Sequence, residues 1–307
     1  MITKFGKRFL TNHIAGNVDF NQKDLAFGIG STTPNVLGND TRLEFEFYRM
    51  PASLSSIDIS QTGVDGNGNP IFSYNVIYKA TIPQDVAGVI SEVGLYPGSR
   101  GSINNYDSKF LTAFNTNLDW TDGSGNPQIQ NNTKDVNGNY TFLSKIGDNM
   151  VAITAPSGTT KEYQLLLNTF DISGYSVNDS LAIAYKKADT NVTSIVVKFY
   201  TTNNDYYSIS FTPTSGTGDK IQSKTLNNLF TNITGIPLSN NINKIGVAIT
   251  SSGGDSTVYF DGIRINDEDT FDPYFGLISR SVFVSGNELI KPSGRPVDIE
   301  YKLSLGF

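Results

Sequence analysis

Residues 295–307 read "RPVDIEYKLSLGF". Val297, Ile299, Tyr301, Leu303, Leu305 and Phe307 are apolar, and Asp298, Glu300, Lys302, Ser304 and Gly306 alternate with them. A side-chain period of two marks a strand with one buried face, because successive Cβ atoms point to opposite sides of a sheet. The same parity governs Leu43, Phe45 and Phe47 in "RLEFEFY", and Leu181, Ile183 and Tyr185. It returns at Tyr207, Ile209 and Phe211, and at Ile245, Val247 and Ile249. Between these runs lie "DGNGNP" (65–70), "DGSGNP" (122–127), "DVNGNY" (135–140) and "SSGGDS" (251–256). Asn and Gly tolerate the positive φ that tight hairpins require. The best helix candidate, "DKIQSKTLNNLF" (219–230), is short and interrupted by Asn. The chain reads as all-β.

With 307 residues, 38% of them hydrophobic, the chain is long enough for two modest domains or for one domain carrying an insertion. The formal net charge is −6, from 23 Lys and Arg against 29 Asp and Glu, and the basic residues are scattered. No basic stripe exists to release phosphate counterions, so nucleic acid is not an expected ligand. The absence of cysteine excludes disulfides, thiolate metal sites and a cysteine nucleophile, and suits assembly in a reducing cytoplasm. The basic start "MITKFGKRFLTNHIAGN" lacks the apolar core of a signal peptide. Runs such as "LAIAY" (181–185) are too short to cross a bilayer, so no membrane insertion is expected. Release by lysis would then be the way out of a cell.

The stretch 104–266, from "NNYDSKFLTAFNTNLDW" to "TVYFDGIRIN", reads as one β-sandwich, and the chain leaves it through the acidic "DEDTFDP" (267–273). The last stretch, 274–307, is too short to build its own core. Its alternating strand needs a partner, and the free one is the N-terminal region. The expected layout is therefore a discontinuous β-sandwich domain, 1–103 with 272–307, carrying an inserted sandwich over 104–271. Insertions succeed at exposed loops where the two chain ends lie close together.

Two segments of the discontinuous domain carry a likeness. In "ATIPQDVAGVISEVGLY" (80–96), Ile82-Pro83, Gly88, Ile90, Glu92 and Gly94-Leu95-Tyr96 match a strand ending in "IP" followed by G-x-I-x-E-x-G-L-[YF]. That segment resembles phage tail-fibre and baseplate-attached proteins. "SRSVFVSGNELIKPSGRPVDIEYKLSLGF" (279–307) resembles the closing strands of such domains. Within the first segment, a strand over 74–82 is expected to end at Pro83, which cannot donate to a ladder, with Gly88 and Gly94 turning around a second short strand. The insertion, through 169–211 and 242–267, resembles carbohydrate-binding jelly rolls. In that family the closing strand often bears an Asp that helps hold a structural calcium. Asp261 stands at that place, while the companion acid is replaced by Asn115 and Asn117.

Catalytic signatures are missing. His13 is the sole histidine, no G-x-S-x-G elbow occurs, and "SGTTKE" (157–162) has the wrong spacing for a phosphate loop. "DGNGNP" and "DVNGNY" imitate the start of a calcium loop, but their twelfth positions are Val76 and Ile146 where a bidentate Glu is needed. Paired carboxylates for glycoside hydrolysis are not singled out. Sugar recognition asks for aromatic faces held in the open. Trp120, the sole Trp, reads either as a core residue or as a sugar platform, and Tyr206 points away from Tyr207, Ile209 and Phe211. Together these readings lead to a non-enzymatic virion component, a tail fibre or baseplate-proximal adaptor made in the host cytoplasm. It is expected to form a homo-oligomer, with a trimer favoured, to bind other tail proteins, and to touch host surface polysaccharide through the insertion. Its site residues are Trp120 and Tyr206 for carbohydrate and Asp261 for calcium. A polysaccharide-degrading or carbohydrate-binding accessory protein is the alternative.

Overall fold

The computed structural model describes residues 1–16, 23–98, 109–173, 175–201, 205–226, 233–234, 240–266 and 276–306. The chain divides into two compact units, Met1–Ile103 with Thr270–Phe307, and Asn104–Asp269. The passage "DEDTFDP" (267–273) lies outside the described residues. Among the described residues the protein is all-β apart from one helix.

The first unit has strands β1 (Lys23–Ile29), β2 (Phe45–Val64), β3 (Pro70–Ile82), β4 (Gly88–Ile90) and β5 (Glu92–Pro97). The returning chain adds β20 (Ser279–Val282), β21 (Leu289–Lys291) and β22 (Val297–Gly306). One antiparallel sheet runs in the order β20-β5-β1-β2-β3-β22, and β4 pairs with β21. The alternating segment from Val297 pairs with β3, Tyr301 opposite Tyr78 and Leu303 opposite Val76. Leu25, Phe27, Tyr78, Ile82, Val93, Leu95, Tyr301 and Leu303 share one core. Pro83 does end β3, but Gly94 sits inside β5 rather than in a turn. A Cβ there would come within 2.9 Å of Leu277 and Leu43, so that glycine serves close packing.

Helix α1 (Lys4–Ile14) departs from the all-β expectation. Thr3 caps it by accepting the Gly6 N–H at 2.9 Å and donating its hydroxyl to the Leu277 carbonyl. Only Gly6 and Phe9 of the helix are buried. Its apolar face is thus too narrow to announce itself in the sequence, and docking onto the sheet sustains it. Conversely, the best helix candidate begins as strand, since Gly218–Thr225 pairs with Ser180–Lys187 along its full length.

The second unit is a two-sheet β-sandwich. Its strands are β6 (Lys109–Thr112), β7 (Trp120–Thr121), β8 (Gln128–Asn131), β9 (Thr133–Lys134), β10 (Tyr140–Phe142), β11 (Asn149–Ala155) and β12 (Thr160–Asp171). They continue as β13 (Ser180–Lys187), β14 (Val192–Tyr200), β15 (Tyr206–Phe211), β16 (Gly218–Thr225), β17 (Ile233–Thr234), β18 (Asn241–Ser251) and β19 (Ser256–Asn266). One sheet is β16-β13-β19-β11-β8 with β6 on β19, and the other is β17-β15-β14-β18-β12-β7. The chain repeatedly changes sheet, as in a jelly roll. Ile183, Phe260 and Ile263 of the first sheet meet Val197, Ile209 and Val247 of the second in a single core. Two of the four Gly/Asn/Asp clusters are hairpin turns: Asp65 accepts the backbone N–H groups of Asn67 and Asn69 between β2 and β3, and Asp135 repeats this with Asn137 and Asn139 between β9 and β10. The clusters at 122–127 and 251–256 instead join strands of different sheets.

Candidate functional site

Alternation in β14 and β15 sends Val197, Phe199, Tyr207 and Ile209 into the sandwich and turns Lys198, Tyr200 and Tyr206 to the opposite face. On β12 the same rule sends Leu165 inward and leaves Glu162 and Gln164 on that outer face. Between β14 and β12 runs β18, whose outward positions include Gly246 and Ala248. These small residues leave a low floor, across which Glu162 reaches Lys198 at 2.5 Å and the Tyr200 hydroxyl at 2.5 Å. A Cβ at Gly246 would sit 2.6 Å from the Glu162 carboxylate, so the crossing needs glycine there. Gln164 donates a third hydrogen bond to Glu162 at 2.9 Å.

Burial opposes ionisation of Glu162, yet the bonds from Lys198, Tyr200 and Gln164 outweigh it and hold the carboxyl below its usual range. Burial and the neighbouring carboxylate push the Tyr200 hydroxyl well up. Tyr206 is half-buried at the end of this network. Its ring lies 5.1 Å from that of Tyr200, with the Lys198 ammonium 4.7 Å from its centroid, while Lys244 stands 4.6 Å from the Tyr200 ring. Tyr200 itself is only 6% exposed, so the face presents the half-buried Tyr206 ring, two ammonium groups and one ionised carboxylate, with Tyr200 packed beneath them. That is a surface for stacking and hydrogen bonding, with its proton donors and acceptors already fixed. Lys198, Tyr200 and Glu162 escaped the reading of the sequence. Their parity was legible, but the pairing that brings β12 and β14 to either side of β18 was not.

Trp120 requires a correction. It is 1% exposed and stacks on Phe114 with 4.7 Å between ring centroids, so it offers no face to a sugar. Its short strand pairs with β12 at Leu165, which turns the indole into the core. Phe114 holds a φ of 50°, the only positive value outside glycine among the described residues, and its buried ring against Trp120 and Phe260 repays that conformation.

Asp261 is the extra residue of a β-bulge: Ala184 pairs with Gly262 and Tyr185 with Phe260, leaving Asp261 unmatched. Its carboxylate turns to the 144–146 segment, where the Ser144 hydroxyl donates at 2.8 Å and the backbone N–H groups of Lys145 and Ile146 donate at 2.7 and 3.1 Å. Complete burial pushes its pKa up to about 7 against the pull of those donors. A calcium ion needs converging acceptors. The Ile146 and Asn149 carbonyl oxygens lie 2.8 and 3.1 Å from the same Ser144 hydroxyl, but both carboxylate oxygens of Asp261 are already held by N–H donors. Asn117, in place of the companion acid, spends its amide on the Pro127 carbonyl. Among the described residues no group of three His, Cys, Asp or Glu gathers as ligands. The residues do not fit the expected calcium.

In the first unit, Glu92 opens β5 fully buried. It accepts the Phe45 N–H at 3.1 Å and the Arg280 Nε–H at 2.9 Å. Gly28 and Gly30 make room, since a Cβ at either would fall within 3 Å of the carboxyl group. Arg280 also faces Asp40 at 3.5 Å and Glu44 at 3.9 Å. Burial raises the Glu92 pKa to about 7 although Arg280 and the Phe45 N–H favour the anion.

No protein-family model matches the chain, and no curated protein matches it in sequence. Among solved structures it is similar to a family 11 carbohydrate-binding module from Clostridium thermocellum, at 14% identity and a TM-score of 0.32, over 52% of this chain and 95% of that one. It is also similar to an exo-beta-agarase, at 15% identity and 0.32, over 54% of this chain but only 24% of the agarase. The enzymatically active domain of bacteriophage CBA120 tailspike protein 4 follows, at 10% identity and 0.29, over 50% of this chain and 20% of that one. Likeness at this level assigns no role to the chain.

Proposed function

We propose that the protein is a non-enzymatic structural component of a bacteriophage tail, a fibre or baseplate-proximal adaptor, which binds glycan through the outer face of β15, β14, β18 and β12. The first unit assembles with copies of itself, a trimer being favoured, and with neighbouring tail proteins. One observation carries the tail reading: Glu92 of "ATIPQDVAGVISEVGLY" and Arg280 of "SRSVF" form one buried pair, so the two segments that resemble tail proteins are parts of one packed element. For the glycan face, support comes from the half-buried Tyr206, backed by the buried Tyr200 and flanked by Lys198 on a sheet surface whose Lys198–Glu162 pair is fixed.

The test is binding of the full chain to host lipopolysaccharide or capsule, measured by calorimetry, with reducing ends assayed in parallel. Saturable binding without new reducing ends is expected. Release of reducing ends overturns the non-enzymatic reading, and absence of binding to any host polysaccharide overturns the glycan reading.

A further inference from the structure

The β2–β3 hairpin runs on well beyond the core of the first unit. On the β1 side, β2 is paired only up to Ala52, so among the described residues nothing flanks the edge from Ser53 to Val64. The register places Leu54 opposite Tyr78, Ile57 opposite Val76 and Ile59 opposite Tyr74, with Tyr301, Leu303 and Leu305 of β22 on the same rows. Tyr78, Tyr301 and Leu303 on this face belong to the core. Further out the face stays apolar but is uncovered: Leu54 is 53% exposed, Ile57 and Ile59 60%, Phe72 40% and Tyr74 38%. The opposite face carries Asp58, Lys79, Glu300 and Lys302. The two faces of the arm are therefore as distinct as those of a half-buried sheet, with half of the apolar one in water.

We infer that this apolar face of the β2–β3–β22 arm is covered by the same face of a second copy of the chain, the copies meeting about a rotation axis along the arm. The inference rests on the self-assembly in the proposed function and names the surface responsible. Charge and area together select the occupant. The rows formed by Leu54, Ile57, Ile59 and their partners contain no charged residue, so identical faces meet without like-charge repulsion and no charge is present to select a different partner. Five side chains at these exposures leave roughly 400–500 Å² of apolar surface, within the about 300–600 Å² of a monomer's largest patch, which is often a functional one. A standard interface buries about 800 Å² per partner, of which about 65% is apolar between identical subunits, or about 500 Å². The patch matches one such interface. Residues beside that axis then lie near their own equivalents in the other copy.

The chain has no cysteine, which makes the geometry directly testable. Light scattering of the intact protein at micromolar concentration should give a mass above that of one chain. I57K combined with I59K should yield the single-chain mass with an unchanged circular dichroism spectrum, since both side chains are more than half exposed. Independently, I59C should oxidise to a disulfide-linked pair on a non-reducing gel, whereas K302C, exposed on the opposite face, should not. An intact protein that is monomeric overturns both this inference and the self-assembly. An oligomer that survives I57K/I59K, or that links through K302C and not I59C, overturns this surface alone and leaves self-assembly standing.

Discussion

Glu92 and Arg280 lie 188 residues apart in the chain, yet Nη2 of the one guanidinium stands 2.8 Å from Oε2 of the buried carboxylate. The pair joins β5 to β20, the strand by which the chain re-enters the first unit. Burying two charges is costly unless both are answered, and removing one partner of such a pair typically costs about 3–5 kcal/mol. Arg280→Met should therefore destabilise the first unit by that order, read by urea unfolding with far-ultraviolet circular dichroism. The double variant Glu92→Leu with Arg280→Met should recover most of the loss, because no unpaired charge is left behind.

The same carboxylate sets a pH dependence. Glu92 is raised from its ordinary 4.5 to about 7, so between those values the folded state holds a proton that the unfolded state has released. Its contribution is complete below about pH 4.5 and is lost as pH rises through 7, at no more than about 1.4 kcal/mol per pH unit. Asp261 acts in the same direction from its ordinary 3.8. Asp135, Glu162 and Asp189 are held below their ordinary values and act oppositely, withdrawing stability as the solution becomes strongly acidic. Melting temperature should consequently be highest near pH 5 and fall toward pH 8. Glu92→Gln should flatten that decline.

Asp261 should prove structural. Asp261→Ala strands the hydroxyl of Ser144 and the N–H groups of Lys145 and Ile146, and should destabilise the second unit by about 2–3 kcal/mol. Adding calcium or a chelator should leave the melting temperature of the intact protein unchanged. A calcium-dependent rise would show that the donors around Asp261 rearrange to admit the ion.

Trp120 and Tyr206 should separate cleanly. Trp120→Ala removes a fully buried ring and should cost about 3–5 kcal/mol of stability. The single indole also makes fluorescence a reporter of the second unit alone, blue-shifted when folded. Tyr206→Ala should leave stability within about 1 kcal/mol and weaken glycan binding by about tenfold, as loss of one stacking contact does. Equal binding by the wild type and Tyr206→Ala would remove Tyr206 from the site.

Helix α1 depends on contact more than on propensity. A Cβ at Gly6 would fall on the Ile278 carbonyl oxygen, which belongs to the backbone and cannot step aside. Gly6→Ala raises intrinsic helix propensity, yet it should undock the helix and lower the melting temperature. Proteolysis in the first 16 residues would report it.

Parity in short segments was enough to establish strands: Tyr207, Ile209 and Phe211 fill the sandwich core, and Tyr206 faces the other way. The Gly/Asn/Asp clusters likewise declared their turns, because Asp65 and Asp135 bond to backbone groups only two and four residues away. Such features are local, and a sequence by itself determines them through side-chain alternation and short-range hydrogen bonding. Only tertiary structure decided the rest. Trp120 became core when a two-residue strand joined β12, Asp261 met its donors through a bulge, and Glu162 reached Lys198 across a strand far along the chain. Alternation tells which side of a sheet a residue occupies; which strand lies beside it, and what covers that side, is set by long-range register and packing that leave no periodic mark.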